Sequence, residues 1–368
     1  MYSYCVMCLR SLRVMPIRNA TTILVTICLV AVLGCMHLIT EVTRLDDARV
    51  KLERAVTKLQ LDNMDITRRH LSFTNEQEST TEPAEDDTVI IYNRVPKTGS
   101  TSFAGMAYDL CTQNKFHVLH LNTSKNSRTL SLSDQMRFAI NITTWSEKKP
   151  ALYHGHLAFL DFTRFGIIKK PIYINIVRDP LDRLVSYYYF VRYGDDFRPF
   201  LKRRKAGNRE TFDDCVKRSG DDCSADNLWL QIPFFCGHVA ECWIPGSQWA
   251  LEQAKQNLIH HYLVVGVTEE LGDFIAILEA TLPRFFKGAV QLYNSGRKSH
   301  LRKTTKKITP LPETVDKIRE SKIWAMENEF YEFAVEQFHF LKHQTFDLVN
   351  GEFVEKGNRF MFEKIRPR

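Results

Sequence analysis

An α/β domain built on a mainly parallel sheet is what the sequence predicts, and three observations carry that reading. Four short apolar runs rich in β-branched or aromatic residues, at 89–93, 116–121, 172–177 and 262–267, read as buried strands. Helical patterns follow three of them, at 99–110, 181–191 and 269–282, so that strand and helix alternate as they do when helices flank a parallel sheet. With 368 residues, 44% of them hydrophobic, the chain can bury such a core.

Local chemistry marks the ends of these elements. Asp179 and Thr268 are side chains that cap helix starts, and Pro180 stands at a first-turn position where its missing N–H costs nothing. Residues 321–341 form a longer amphipathic helix with Ile323, Met326, Phe330, Phe333, Phe338 and Leu341 along one face. Asn350-Gly351 between two apolar runs predicts a terminal hairpin.

The body is preceded by segments of a different kind. Residues 1–18 are a short tail, and residues 19–40 carry no Asp, Glu, Lys or Arg. At about 1.5 Å per residue this run reaches ~33 Å, the span of a bilayer. Arg10, Arg13 and Arg18 precede it and Glu41 follows, which places the tail in the cytosol and everything after the span in a lumen. A cleaved signal peptide is the alternative, but the run is long for one and no small-x-small cleavage site follows. Residues 41–72 repeat Leu45, Leu52, Leu59 and Ile66 at intervals of seven, a coiled-coil-like stem interrupted by Arg49 and Asn63. Residues 73–87, acidic and without aromatics from Asn75 to Asp87, read as a disordered linker, and the folded body then occupies 88–368.

Cysteine usage agrees with a lumenal body. Cys215, Cys223, Cys236 and Cys242 suggest two short-loop disulfides, 215 with 223 and 236 with 242, while the two other pairings stay open. Cys111 is left over as a buried thiol, and the absence of a C-x-x-C spacing among the four cysteines at 215, 223, 236 and 242 speaks against zinc there. Sequons at Asn122 and Asn141 fit the same compartment. The net charge of +7 is modest for this length, so any preference for a charged partner has to come from local clusters.

The first strand runs into Arg94-Val-Pro-Lys97-Thr98-Gly99-Ser100-Thr101 and then a helix. This gathers free backbone N–H groups, a lysine and three hydroxyls at a helix start, a cradle for a phosphate-like anion. It is not the nucleotide P-loop pattern, because the glycine follows the lysine. The run 172–180 repeats the arrangement, with Arg178 at the strand end and Ser186 two turns into the next helix. A guanidinium fork and a hydroxyl suit a dianion, and two such loops suggest a nucleotide with phosphates at both ends.

On these residues the chain resembles the sulfotransferases that use 3′-phosphoadenosine 5′-phosphosulfate (PAPS). Tyr153-His154-Gly155-His156, the 178–189 run, Trp229-Leu-Gln-Ile-Pro-Phe-Phe-Cys-Gly-His238 and the 298–305 run narrow the resemblance to the heparan sulfate 2-O-sulfotransferases. It covers the body from Thr88 to the C-terminus, and it implies the P-loop-like PAPS sulfotransferase fold. It further implies that Arg94, Lys97, Thr98, Gly99, Ser100 and Thr101 hold the 5′-phosphosulfate, that Arg178 and Ser186 hold the 3′-phosphate, and that Tyr293, Ser299, Thr304 and Lys307 close over the donor. Gly99 stands at a position that varies in the family.

Transfer to an alcohol needs a base for the hydroxyl proton and positive charge at the leaving phosphate. His154 and His156 lie two residues apart and would share one side of an extended segment. His154 is expected as the base, with His156 assisting and Lys97 at the departing oxygen; a metal half-site would need a third ligand, so no metal is expected. Five basic residues within 198–205 and six within 297–307 fit a groove for a polyanionic sugar. The resemblance assigns Arg203 and Arg302 to the acceptor's sulfate and carboxylate and His120 to the sugar. Nucleic acid offers similar electrostatics but not in a lumen.

The chain therefore reads as a single-pass type II enzyme of the Golgi membrane, a homotrimer by stem and resemblance, that sulfates the 2-OH of uronic acid, chiefly iduronate, in heparan sulfate. Its rivals are a sulfotransferase acting on dermatan or a glycoprotein, a non-catalytic heparin-binding membrane protein, and, last, a nucleotide kinase.

Overall fold

A computed structural model describes residues 29–42, 44, 86–196, 198–296, 304, 306–349 and 352–356. The chain divides into two compact units, residues 1–80 and 81–368. In the first, residues 29–42 are helical, and Leu29, Val30, Val32, Leu33, Met36 and Ile39 on that helix are exposed. Among the described residues no helix is long and apolar enough to cross a membrane; residues 19–28 of the expected span lie outside them, as do the tail and all of the stem and linker except residues 41, 42, 44, 86 and 87.

The second unit runs β1 (Val89–Asn93), α1 (Ser100–Gln113), β2 (His117–Leu121), α2 (Leu132–Thr144), β3 (Ala151–Gly155), β4 (Ile172–Val177), α3 (Pro180–Tyr193), α4 (Phe212–Lys217), α5 (Gln231–Cys236), α6 (Gln248–His261) and β5 (Tyr262–Val267). It continues through α7 (Leu271–Thr281), α8 (Pro283–Phe286), α9 (Ala289–Asn294), α10 (Pro312–Arg319), α11 (Lys322–Thr345), β6 (Phe346–Val349) and β7 (Glu352–Glu355). β1 to β5 form one sheet in the order β2-β3-β1-β4-β5, parallel throughout, and β6 and β7 make the expected antiparallel hairpin, whose tip at 350–351 is outside the described residues.

The predicted strands and helices appear within a few residues of their expected bounds. The sheet also holds β3, which is not among the predicted strands and whose Ala-Leu-Tyr-His-Gly run lacks the β-branched residues that mark the other strands. Asp179 caps α3 by accepting from Asp182 N–H at 2.7 Å. Thr268 does not cap its helix: its hydroxyl donates to Val177 C=O at 2.9 Å, a short 3₁₀ turn intervenes, and α7 starts after Glu270.

The core lies on both faces of the sheet, and it is closed on one side by Met326, Phe330 and Phe338 of α11. Buried asparagines key the central strands to each other: Asn175 Nδ2 donates to Asn93 Oδ1 at 2.9 Å, and Tyr262 hydroxyl donates to the same oxygen at 3.0 Å. A fully hydrogen-bonded polar set inside an apolar sheet penalises any slip of register. The disulfides are 215–223 and 236–242, as the spacing suggested, and Cys111 is half-buried rather than buried.

Strand order fixes where the site lies. The chain leaves β1 toward β2 on one side and leaves β4 toward β5 on the other, so the carboxyl ends of β1 and β4 border a switch point, the crevice where open α/β sheets bind ligands.

Candidate active site

The loop after β1 turns sharply because Lys97 and Gly99 both take left-handed backbone conformations, with φ of 71° and 70°. For a lysine this costs on the order of 1–3 kcal/mol and marks a constrained functional turn. The turn delivers Ser100 to the first position of α1, while buried Thr98 faces inward and donates to Val95 C=O at 3.0 Å. Lys97 Nζ donates to Thr304 hydroxyl at 3.2 Å, and Thr304 lies 3.4 Å from Ser186 Oγ on α3. Three expected donor-binding residues from separate segments thus meet.

Across the crevice, Arg178 Nη1 donates to Lys97 C=O at 3.4 Å and Nη2 to Asp182 at 3.1 Å. Lys307 reaches the other oxygen of Asp182 at 3.5 Å. Burial works to raise the Asp182 pKa, but Lys307 and Arg178 outweigh it and hold the carboxyl below its usual range. Arg178 Nε is buried with no hydrogen-bond partner among the described residues. A buried guanidinium with an unpartnered N–H, beside the Lys97 loop and Lys307, fits a phosphate oxygen, so the residues present suit a phosphorylated donor. Tyr293 lies on α9, partly buried against the core beside Gly272, and Ser299 and Arg302 fall outside the described residues.

The histidines meet at Arg94. His154, paired with Tyr92 of β1 and His120 of β2, is buried, and its ring stacks on His120 with centroids 4.9 Å apart. Arg94 Nη1 donates to His154 Nδ1 at 3.2 Å, and Arg94 Nη2 donates to Thr101 at 3.0 Å and Ser100 at 3.4 Å. A guanidinium only donates, so Nδ1 is the acceptor, the neutral ring carries its proton on Nε2, and that N–H faces Tyr108 hydroxyl at 2.9 Å. His156 is wired the opposite way. Its Nδ1 donates to Arg94 C=O at 2.8 Å, which leaves Nε2 as the lone pair. Gly155 between them admits no side chain, because a Cβ there would lie 2.6 Å from Leu121 C=O.

Both imidazoles are held neutral. Burial, then Arg94 and the neighbouring histidines, push His154 down to about 3. His156 is an exposed residue with a crowded ring: desolvation and Arg94 push it down to about 4, against the opposing pull of its bond to Arg94 C=O. His120 is lowered by burial and then by Arg94.

The basic loop after α3 returns to the same place. Arg203 pairs with buried Asp195 at 3.0 Å and lies 4.4 Å from the centre of the Phe190 ring, on which Lys97 also packs at 4.1 Å. Asp195 bridges in turn to the main chain of Thr304. Sequence reasoning missed Tyr108, Phe190, Asp182 and Asp195. Tyr108 was within reach, since it follows Thr101 by seven residues and shares its face of α1. Asn122 and Asn141 are both exposed. Among the described residues no three His, Cys, Asp or Glu side chains converge as metal ligands.

A parallel sheet with two basic anion loops at its switch point and neutral imidazoles beside them is the layout of a sulfuryl- or phosphoryl-transfer enzyme. Residues 84–334 match the sulfotransferase family, and the chain belongs to that family. Within it, the chain is 57% identical over 328 residues to heparan sulfate 2-O-sulfotransferase 1 of Gallus gallus, covering 89% of this chain and 91% of the relative. The Homo sapiens protein of the same name is 56% identical with the same coverage. The heparin sulfate O-sulfotransferase of Drosophila melanogaster is 51% identical, covering 94% of this chain and 95% of the relative.

Proposed function

We propose that this chain transfers the sulfuryl group of PAPS to the 2-OH of a uronic acid, chiefly iduronate, in heparan sulfate. The observation that carries the chemistry is the His156 imidazole, neutral, with no partner on Nε2 among the described residues, and tied through Arg94 to the anion loop. The acceptor follows from the names of relatives that match nearly the whole chain.

When bound, PAPS supplies a sulfuryl group attached to a phosphate leaving group. Lys97, with the N–H groups of residues 98 to 101 and the hydroxyls of Ser100 and Thr101, holds the 5′ end and offsets charge on the departing oxygen, while the Thr98 hydroxyl, turned inward to Val95 C=O, takes no part. Arg178 and Ser186 hold the 3′-phosphate, with Thr304, Lys307, Ser299 and Tyr293 closing the pocket. Arg203, Arg302 and His120 orient the anionic sugar. His156 takes the hydroxyl proton at Nε2, and its Nδ1–H bond to Arg94 C=O stabilises the imidazolium that forms. This moves the base from His154, the sequence expectation, because Arg94 already occupies the His154 lone pair. A second reading keeps His154: Arg94 also donates to Ser100 and Thr101, and an incoming donor that draws the guanidinium away would free Nδ1.

The same proposal makes the chain a single-pass type II protein of the Golgi membrane and a homotrimer. The exposed apolar helix at 29–42, the two disulfides and the exposed sequons support the placement, and the heptad stem supports the trimer. The test is incorporation of labelled sulfate from PAPS into 2-O-desulfated heparan sulfate, dermatan sulfate and acceptor protein in parallel. Label on the heparan uronic acid is expected. Label on dermatan or protein alone selects another acceptor, and heparin binding without incorporation selects the non-catalytic reading.

A further inference from the structure

Arg178 is held in place by a residue that cannot itself touch substrate. β4 ends at Val177, where its ladder to β5 also ends, so the main chain of Arg178 has no strand to pair with. Its hydrogen bonds go instead to one side chain. Arg178 N–H donates to Gln231 Oε1 at 2.9 Å, and Gln231 Nε2 donates to Arg178 C=O at 2.9 Å. A primary amide presents an N–H donor and a C=O acceptor side by side, as a peptide group does, and here it stands in for the missing strand.

Gln231 is itself fixed from a distance. It is 0% exposed and opens α5, whose first N–H groups would otherwise be left bare in the core. The carboxylate of Glu327 on α11, also 0% exposed, accepts from Leu230, Gln231 and Ile232 N–H at 2.8, 3.3 and 3.1 Å. Buried Arg183 supplies the opposite charge nearby. The chain of contacts therefore runs from α11 through the start of α5 to the Arg178 peptide, and ends at a guanidinium whose Nε has no partner among the described residues.

We infer that Gln231 is a positioning residue for donor binding: its amide clamps the Arg178 main chain so that the guanidinium meets the nucleotide phosphate, and Glu327 anchors the clamp. The inference rests on the reading that Arg178 holds a donor phosphate. Complete burial excludes Gln231 from direct contact with donor or acceptor, so its effect on binding runs through Arg178.

The experiment compares Gln231→Met, which conserves length and volume but removes both hydrogen bonds, with Arg178→Ala and the double variant, all in the full chain. Donor KM, acceptor KM, kcat and calorimetric affinity for adenosine 3′,5′-bisphosphate are measured. Losing the orientation of one charge-assisted contact predicts a rise of about tenfold in donor KM and in bisphosphate Kd, with acceptor KM and kcat within about twofold. In the Arg178→Ala background Gln231→Met should add nothing, because its target is gone. A reduced kcat with donor KM and bisphosphate affinity unchanged would show a merely structural role and overturn the inference, as would a full additional loss in the double variant. If Gln231→Met does not fold, Gln231→Asn, shorter by one methylene and still an amide, carries the same comparison. Bisphosphate affinity unchanged in Arg178→Ala overturns the reading beneath the inference and the inference with it, whereas an effect of Arg178→Ala without one of Gln231→Met overturns the inference alone.

Discussion

Replacing His156 by alanine should remove the base while leaving the anion site intact. With a pKa of about 4 the wild-type ring is neutral by a ratio of about 300 to 1 at pH 6.5, so protonation does not limit the rate above about pH 5. Deleting a general base costs about 10²- to 10⁴-fold, or ~2.7–5.4 kcal/mol of transition-state stabilisation. His154→Ala should cost less. It releases Arg94 from one hydrogen bond to Nδ1, and the loss of ~1.5–3 kcal/mol acts through misplaced charge rather than a missing base. The assay is labelled-sulfate transfer to 2-O-desulfated heparan sulfate from pH 4 to 8, with imidazole added to His156→Gly. The acid limb near pH 4 should vanish with His156 and persist in His154→Ala, and imidazole should restore part of the rate only in His156→Gly. A thousandfold loss in His154→Ala beside a loss under tenfold in His156→Ala would refute the assignment and restore His154 as base.

Other outcomes follow from the same geometry. Tyr108→Phe removes one hydrogen bond to His154 Nε2 and should lower kcat about two- to tenfold with donor KM unchanged. Arg203→Ala should raise acceptor KM about tenfold or more at constant donor KM, because the guanidinium that Asp195 and Phe190 hold in the crevice is assigned to the acceptor. The double variant Cys236→Ser/Cys242→Ser should lose about 2 kcal/mol in urea unfolding through the freer unfolded chain. Stability should fall as pH drops below about 6.5. His154 and His238, lowered by burial to about 3 and about 4, are neutral when folded but protonated when unfolded, so the unfolded state binds more protons across that window. For His154 the slope is at most ~1.4 kcal/mol per pH unit, and above about pH 7 it should vanish. Thermal midpoints from pH 4.5 to 8 check this.

The sheet was legible where strands carried Val and Ile and helices followed at once; β3 was not, since its five residues include only two aliphatics and end in His-Gly. Pattern reading finds residues near one another in sequence, so the Lys97-to-Thr101 loop and Arg178 stood out. The pairing of Arg203 with Asp195, the shared Phe190 ring and the Gln231 clamp depend on segments that only the fold brings together. The choice between two histidines was beyond the sequence for another reason. The side chains are identical and two residues apart, and what separates them, Arg94 presenting a donor to one Nδ1 and an acceptor to the other, with Tyr108 and His120 against His154, is set by the fold.

The most direct measurement is a crystal structure of the chain with adenosine 3′,5′-bisphosphate and a 2-O-desulfated heparan hexasaccharide. The nucleotide should bridge the Lys97 loop and Arg178, and the uronic acid 2-oxygen should sit about 3 Å from His156 Nε2. A nucleotide elsewhere, or a 2-OH turned away from both imidazoles, would contradict the proposed chemistry.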